Sequence, residues 1–138
     1  MERTYKSQED CPLARTLDIL GDRWTLLVVR DLFLGHSKFG HILESLEGIS
    51  PNLLADRLKR LEQQKIVGRV FYNDHPPRAE YRLTEKGQEL VSVMRAIAEW
   101  GLKHELDDEQ RANPRLRENM AILGIKPERP KHRSGVPA

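Results

Sequence analysis

Residues 50–64 carry polar side chains at a spacing that brings them to one side of a helix, opposite a row of leucines. Ser50 followed by Pro51 marks the start of that helix, because serine caps a helix and proline suits its first position. Asparagine can pair with adenine, alanine can contact a thymine methyl group, and aspartate can accept a hydrogen bond from cytosine. The residues of this segment that could read base edges are Ser50, Asn52, Ala55 and Asp56, and Pro51 belongs to the same DNA-binding surface.

Cations beyond the start of this helix suit contacts with phosphate oxygens rather than with bases. Lys59 and Arg60 lie farther along the same helix, and basic residues surround a turn, NDHPPR, that two adjacent prolines stiffen. Ser37 and Lys38 stand at the predicted start of the preceding helix, where free backbone N–H groups attract anions. The predicted phosphate contacts are Ser37, Lys38, Lys59, Arg60, Arg69, His75 and Arg78, and the residues around the turn could instead enter the minor groove. Because the net charge is only +2, the distribution of charge carries this interpretation.

Cys11 is the only cysteine of the 138 residues and directly precedes the proline that begins the first predicted helix. A thiol there meets the positive end of the helix dipole, with Arg15 one turn on, and both favour the reactive thiolate. The alternative is a half-buried cysteine without a chemical role. A single cysteine also excludes an intrachain disulfide and fits a reducing, cytoplasmic location.

The remaining residues that could do chemistry indicate neither a metal site nor an active site. The five histidines are scattered, and none stands at metal-ligand spacing with a cysteine or a carboxylate. The chain has no phosphate-binding glycine loop and no nucleophile elbow. We therefore expect no enzyme activity, no metal and no cofactor. No apolar run approaches the roughly 20 residues that span a bilayer, so no membrane partner is expected either.

The elements that must position these residues follow from apolar periodicity and capping residues. The predicted helices cover residues 12–20, 23–34, 38–46, 50–64, 85–104 and 115–123. Asp22, Ser37, Ser50 and Thr84 are expected to cap four of them. A β-hairpin is predicted between residues 66 and 83. Two short helices across a glycine-containing turn, followed by a hairpin, predict a winged helix-turn-helix: a mainly α fold with a small β-hairpin wing (α+β).

A domain of this size has too little surface to cover the apolar stripes of its first and last long helices. Since an exposed stripe is a liability in a monomer, we predict a homodimer in which these terminal helices pack across a two-fold axis. The predicted interface residues are Leu13, Leu17, Leu90, Met94, Ile97, Trp100 and Gly101. The alternative is that the stripe packs within its own subunit. DNA binding and dimerisation are assigned to residues 1–106, and residues 107–138 form an extension that is partly helical and then disordered from residue 126.

Three separated blocks follow one another in the chain: CPLARTLDILGDRWTLLVVRDL, KFGHILESLEGISPNLLADRLKRLEQQKIVGR and PPRAEYRLTEKGQEL. Together they resemble the HxlR-type family of winged helix-turn-helix transcriptional regulators, relatives of the MarR group. The resemblance covers residues 11–104. It implies a dimer built from terminal helices, a recognition helix at 51–64, a wing at 66–83 and an operator near the regulated genes. Some family members sense electrophiles or oxidants through a cysteine just before the first helix, the position of Cys11.

We therefore expect a regulator that binds a pseudo-palindromic operator in double-stranded DNA as a homodimer and responds to oxidants or electrophiles through Cys11. One alternative is a small-molecule effector held in a pocket at the dimer interface, with Trp24, Phe33 and Trp100 as walls. A second alternative is a winged-helix module whose polar helix face docks a partner protein. A third is that this face only meets water. Strong, salt-sensitive binding to duplex DNA would argue against the last two.

Overall fold

A computed structural model describes residues 8–74 and 77–125 of the chain. The helices are α1 (Pro12–Leu20), α2 (Thr25–Phe33), α3 (Phe39–Ser45), α4 (Pro51–Gln63), α5 (Glu85–Gln88), α6 (Val91–His104), α7 (Asp108–Arg111) and α8 (Pro114–Ile122). The strands are β1 (Val67–Asp74) and β2 (Pro77–Leu83). The chain divides into two compact units, Met1–Leu90 and Val91–Ala138. The predicted fold is confirmed: a mainly helical winged helix-turn-helix with one antiparallel hairpin. The boundary at residue 106 between the DNA-binding domain and the C-terminal extension stays a prediction.

Helices α1 and α4 begin where their capping residues predict. The Ser50 hydroxyl accepts a hydrogen bond from the Leu53 amide at 3.1 Å, and Pro51 occupies the first turn of α4. At α1, Cys11 is the capping residue and its sulfur lies 3.5 Å from the Ala14 amide nitrogen. Both starts depend on residues adjacent in the sequence, which is why the sequence reveals them.

Helix α2 is the buried centre of the first unit, as its apolar sequence predicts. It begins at Thr25, two residues later than expected, because the Asp22 carboxylate accepts from the amides of both Trp24 and Thr25, at 2.9 and 3.1 Å. Val28 and Val29 have no exposed surface. Asp22 therefore holds the turn that precedes α2, but Trp24 is the capping residue and no side chain caps the helix, so the prediction that Asp22 caps it is wrong.

The start of α3 differs from the prediction that Ser37 caps it. Lys38 is the capping residue, it has an extended backbone, and no side chain caps the helix. Lys38 instead forms an isolated antiparallel bridge with Glu80, and the Ser37 carbonyl accepts from the Tyr81 amide at 2.7 Å. Backbone pairing with β2 draws this segment away from the capping geometry, because a bridge requires an extended chain.

Strands β1 and β2 form a two-stranded antiparallel sheet that extends into the predicted turn. Val67 pairs with Leu83 at the base, and the register shifts between Phe71 and Asn73. Lys65, which joins α4 to the hairpin, has a φ of 60°, in the left-handed region. Residues 75–76, and with them the predicted contact His75, lie outside the described residues.

The single helix predicted over 85–104 is wrong, because the chain turns after Gln88. Thr84 caps the short α5 as predicted, and its hydroxyl also lies within hydrogen-bond distance of the Lys65 carbonyl oxygen. A Cβ atom on Gly87 would come within 2.2 Å of the Ile66 carbonyl oxygen, so only glycine permits this close approach to the hairpin. The Leu90 amide then bonds to the Gly87 carbonyl at 3.1 Å, and this tight turn ends α5.

The second unit contains α6 and the shorter helices α7 and α8. The predicted helix at 115–123 is confirmed as α8, which Asn113 caps. The Arg95 guanidinium of α6 donates to the Leu123 carbonyl at 2.7 Å, at the end of α8. Helix α7 was not predicted, although Asp107 and Gln110 form a capping box there. The segment from residue 126, predicted to be disordered, lies outside the described residues. Across residues 8–74 and 77–125, no helix combines the length and apolar character that a membrane span requires.

Candidate nucleic-acid interface

Helix α4 has one buried side and one exposed polar side, as the sequence predicts. Leu54 is fully buried, and Leu58 and Leu61 are each 1% exposed. Around the rest of the helix the exposed residues are Ser50, Pro51, Asn52, Ala55, Asp56, Lys59, Arg60 and Gln63. All the residues predicted to read base edges are therefore accessible at the N-terminal part of one helix.

Arg57 lies between these two sides and anchors α4 to the turn before α2. Its Nε lies 3.2 Å from Asp22 Oδ1, and its side chain is only 16% exposed. This N–H does not point at an acceptor, so the contact is an ion pair and not a hydrogen bond. Arg57 is therefore a structural residue at the edge of this surface.

Asp22 is stabilised in its ionised form by the groups around it. Burial alone would raise the pKa of Asp22. Hydrogen bonds from the Thr25 hydroxyl and the Trp24 and Thr25 amides, together with the charge of Arg57, hold that pKa below its ordinary value of 3.8. The negative charge that pairs with α4 is thus present at neutral pH.

Asp56 belongs to a small charge network on the exposed side of α4. Its Oδ2 lies 3.0 Å from Arg57 Nη1 and 3.3 Å from Arg60 Nε, and the side chains of Asp56 and Arg60 are about half exposed. Within residues 8–74 and 77–125, Lys59 has no acidic partner within ion-pair distance. Lys59 therefore presents an unpaired positive charge, whereas Arg60 shares its charge with Asp56.

Lys38, just before α3, and Arg69 of β1 each lie against an aromatic ring of the hairpin. Lys38 Nζ lies 5.2 Å from the centre of the Tyr72 ring, and the Arg69 guanidinium lies 5.6 Å from that of Phe71. Arg69 also donates to Glu62 of α4 at 3.0 Å. Phe71 is 56% exposed and Tyr72 is 48% exposed. Three consecutive large side chains at 70–72 are the signal in the sequence that could have revealed these rings.

Arg78 is exposed on β2, near the tip of the hairpin. It lines an open groove together with Lys38, Arg69 and Tyr72. The structure thus brings three of the predicted phosphate contacts to one groove, which also carries aromatic rings. Ser37 is half-buried, and its backbone carbonyl is engaged by β2.

The family model of HxlR-like helix-turn-helix proteins matches residues 19–109, from the end of α1 to α7. The chain belongs to the HxlR family. As a member, it is a helix-turn-helix transcriptional regulator and not an enzyme, as predicted. DNA is therefore its expected partner.

Relatives of this HxlR protein include an uncharacterised helix-turn-helix regulator of Synechocystis, sll1512. The two are 40% identical over 97 residues, which are 70% of this chain and 72% of sll1512. Among solved structures, the candidate transcription factor PA1607 is 34% identical with a TM-score of 0.71, over 98% of this chain and 84% of that one.

The similar structures include two regulators that have been solved in reduced, oxidised or quinone-bound forms. The reduced form of YodB from Bacillus subtilis is 36% identical with a TM-score of 0.59, over 69% of this chain and 94% of YodB, which has also been solved bound to a quinone. The oxidised form of the redox regulator HypR is 31% identical with a TM-score of 0.64, over 70% of this chain and all of HypR.

In this HxlR protein, Cys11 is a half-buried free thiol at the N-terminus of α1. The Arg15 guanidinium reaches back to the Glu9 carbonyl, with Nη1 at 3.4 Å from the oxygen. The thiol lies at the N-terminal end of α1, and the exposed side of α1 carries the predicted dimer contacts Leu13 and Leu17.

The residues predicted for the dimer interface differ in how much surface they present. Leu13 is 67% exposed and Leu17 is 40% exposed on α1, while Ile97 and Trp100 of α6 are 55% and 60% exposed. The Trp100 ring also lies 5.0 Å from that of His104. The remaining predicted residues are partly or fully covered: Leu90, Met94 and Gly101. Among the described residues, no cluster of three or more histidine, cysteine or acidic side chains could hold a metal ion.

Proposed function

We propose that this HxlR regulator reads a pseudo-palindromic duplex as a homodimer, with α4 in the major groove and the hairpin beside the DNA backbone. The observation that carries the proposal is the two-sided character of α4. Three of its four leucines are at most 1% exposed, whereas Asn52 and Lys59 lie on the exposed side. The residues that we assign to the DNA-facing surface are Ser37, Lys38, Ser50, Pro51, Asn52, Ala55, Asp56, Lys59, Arg60, Arg69 and Arg78, with His75 added from the sequence alone.

The position of each residue along α4 supports a division of roles. A recognition helix places its N-terminal residues deepest in the major groove, so Asn52, Ala55 and Asp56 suit base edges. Lys59 lies about two turns beyond Asn52, where phosphate contacts are expected. In the unbound protein Asp56 is paired with Arg60. On DNA, Asp56 would contact a cytosine amino group and Arg60 a phosphate, and these two contacts would replace the ion pair.

The experiment is a selection of bound sequences from a random duplex pool, followed by affinity measurements on the selected operator. Asn52→Ala should cost about 1–3 kcal/mol, mainly at one base position of each half-site. Lys59→Gln should weaken binding to all sequences alike and reduce the slope of log affinity against log salt by about 1. Lys103→Gln, an exposed lysine of α6, is the matched control and should change neither quantity.

Two results would contradict the proposal for α4. A selection profile for Asn52→Ala that matches the wild-type profile would remove Asn52 from base recognition. Equal salt slopes for the wild type and Lys59→Gln would place Lys59 away from phosphate. The half-site centres in the selected sequences should lie about 10 base pairs apart, because a two-fold dimer presents its recognition helices to successive turns of one face.

We further propose that Cys11 makes the regulator responsive to electrophiles. The similarity to quinone-bound YodB and to the redox regulator HypR supports this, as does the position of the thiol at the start of α1. The Cys11 thiolate would add to a ring carbon of a quinone, forming a carbon–sulfur bond while the ring electrons move to a carbonyl oxygen that then takes a proton. A cytoplasmic location, expected from the lone cysteine, belongs to the same proposal.

A further inference from the structure

A cavity of about 450 Å³ lies within the first unit, between α1, the end of α4, the start of the hairpin and α5. Its volume falls in the range of roughly 300–1,000 Å³ that is typical of small-molecule sites. Four aliphatic side chains form its apolar walls: Ile19, Leu20, Ile66 and Leu90. Such walls can cover the body of a small aromatic or aliphatic molecule.

Two of the five polar residues that line the same cavity are cations. Arg15 and Lys86 line it, and Asp18 is the one acidic residue of the lining. Lys86 Nζ donates to the Gln64 carbonyl at 2.8 Å, which engages one of the three donors of its ammonium group. Arg15 makes only a long contact, 3.4 Å, to the Glu9 carbonyl. Donors from both cations therefore remain for an anion.

We propose that this cavity binds a small organic anion with an apolar body, such as an aromatic carboxylate, and that its occupancy weakens operator binding. The effect on the operator rests on the proposed function, whereas the binding itself does not. An anion that accepts from the remaining donors of Lys86 binds beside the contact of this ammonium group with the Gln64 carbonyl. Gln64 ends the proposed recognition helix and precedes the hairpin, so the bound anion acts where the two proposed DNA-contacting elements join.

The direct test compares two molecules with the same naphthalene body: 1-naphthoate, which is an anion, and 1-naphthalenemethanol, which is neutral. Each is titrated into the ¹⁵N-labelled full-length protein and followed by amide chemical shifts. Naphthoate should shift the amides of residues 15–20, 64–66 and 86–90, and the alcohol should bind about tenfold more weakly or not at all. Equal binding of both molecules, or naphthoate shifts confined to other parts of the chain, would overturn the site.

The charge requirement is tested by the double variant Arg15→Gln/Lys86→Gln, since glutamine keeps a donor for the Gln64 carbonyl but removes the positive charge. Naphthoate affinity should fall about tenfold or more, while the melting temperature and operator affinity without naphthoate stay unchanged. Lys103→Gln/Arg115→Gln removes two exposed charges of the second unit and should keep wild-type naphthoate affinity. Unchanged naphthoate affinity in Arg15→Gln/Lys86→Gln would overturn the assignment of the two cations.

The proposed effect of the bound anion on operator binding is tested with the operator obtained by selection. Saturating naphthoate should weaken operator binding by the wild type about tenfold and leave the double variant unaffected. If naphthoate binds at the mapped residues and operator affinity stays the same, the effector role is wrong. If no duplex is selected at all, the proposed function fails, and the shift experiment still decides whether the cavity binds the anion.

Discussion

Cys11 is the residue at which a chemical signal could act most simply, because the chain has no second thiol. One equivalent of benzoquinone should lower the operator affinity of the wild type about tenfold, since the adduct adds a bulky ring at the start of α1. Cys11→Ser keeps an oxygen that can cap the helix and should show no response. Operator affinity before and after treatment, with the mass of each protein, is the measurement.

Mass spectrometry separates the outcomes of that experiment. A single added quinone in the wild type and none in Cys11→Ser shows that the thiol is the site of reaction. An equal loss of operator affinity in both proteins would remove Cys11 from sensing, because the response would then come from a residue that both share.

At the level of single residues, the sequence predicts what depends on helical periodicity and misses what depends on long-range contacts. Asn52, Asp56 and Lys59 are exposed because 100° per residue places them opposite the leucines of α4. The pairing of Arg57 with Asp22 joins residues 35 positions apart in the numbering, and periodicity contains no information on such a pair. The contact of Lys38 with Tyr72 depends likewise on how the hairpin folds back towards α3.

At the scale of elements, the Asp22–Arg57 pair ties α4 to the turn before α2, and its contribution depends on pH. The pKa of Asp22 is lowered in the folded protein, so the carboxylate stabilises the fold above pH 3.8 and this contribution is lost as pH falls through the lowered value. Asp22→Asn keeps an oxygen that can accept from the Trp24 and Thr25 amides but removes the charge. It should lower the free energy of unfolding by about 1 kcal/mol at neutral pH, because charged hydrogen bonds are stronger than neutral ones.

Urea unfolding at pH 7 and again near pH 3 tests this pH dependence. The difference between the wild type and Asp22→Asn should shrink at the lower pH, where the wild-type carboxyl begins to take up its proton. Asp10→Asn, at an exposed acid near the start of the described chain, should match the wild type at both pH values. A difference of constant size across this range would mean that the charge of Asp22 does not contribute.

The elements themselves were predictable where the signal is local. Ser50 and Pro51 mark the start of α4, and the hairpin follows the change from helical to alternating periodicity. The break after α5 was missed because it depends on the approach of Gly87 to the Ile66 carbonyl, a contact between α5 and the hairpin. The displaced start of α3 has the same kind of cause, since the bridge from Lys38 to Glu80 forms only once β2 is in place.

At the scale of the whole molecule, the question is what covers the apolar residues that one chain leaves exposed. Leu13 is 67% exposed on α1, and Ile97 and Trp100 are more than half exposed on α6. Burying one leucine side chain contributes about 1.5–3 kcal/mol, and a two-fold interface buries each residue twice. A second copy of the chain would cover these side chains and would also supply the second recognition helix that a pseudo-palindromic operator requires.

Leu13→Asp should therefore convert a dimer into a monomer, because it places a charge on each side of the proposed interface without a partner. Sedimentation velocity should give twice the chain mass of 16.0 kDa for the wild type and a single mass for the variant. Operator affinity should fall with the loss of the second half-site contact, whereas Ile122→Asp, at a 46% exposed apolar residue of α8 outside the proposed interface, should change neither mass nor affinity. A wild type that sediments as a monomer, or a Leu13→Asp protein that remains dimeric, would contradict the interface, since the charge would then lie in solvent.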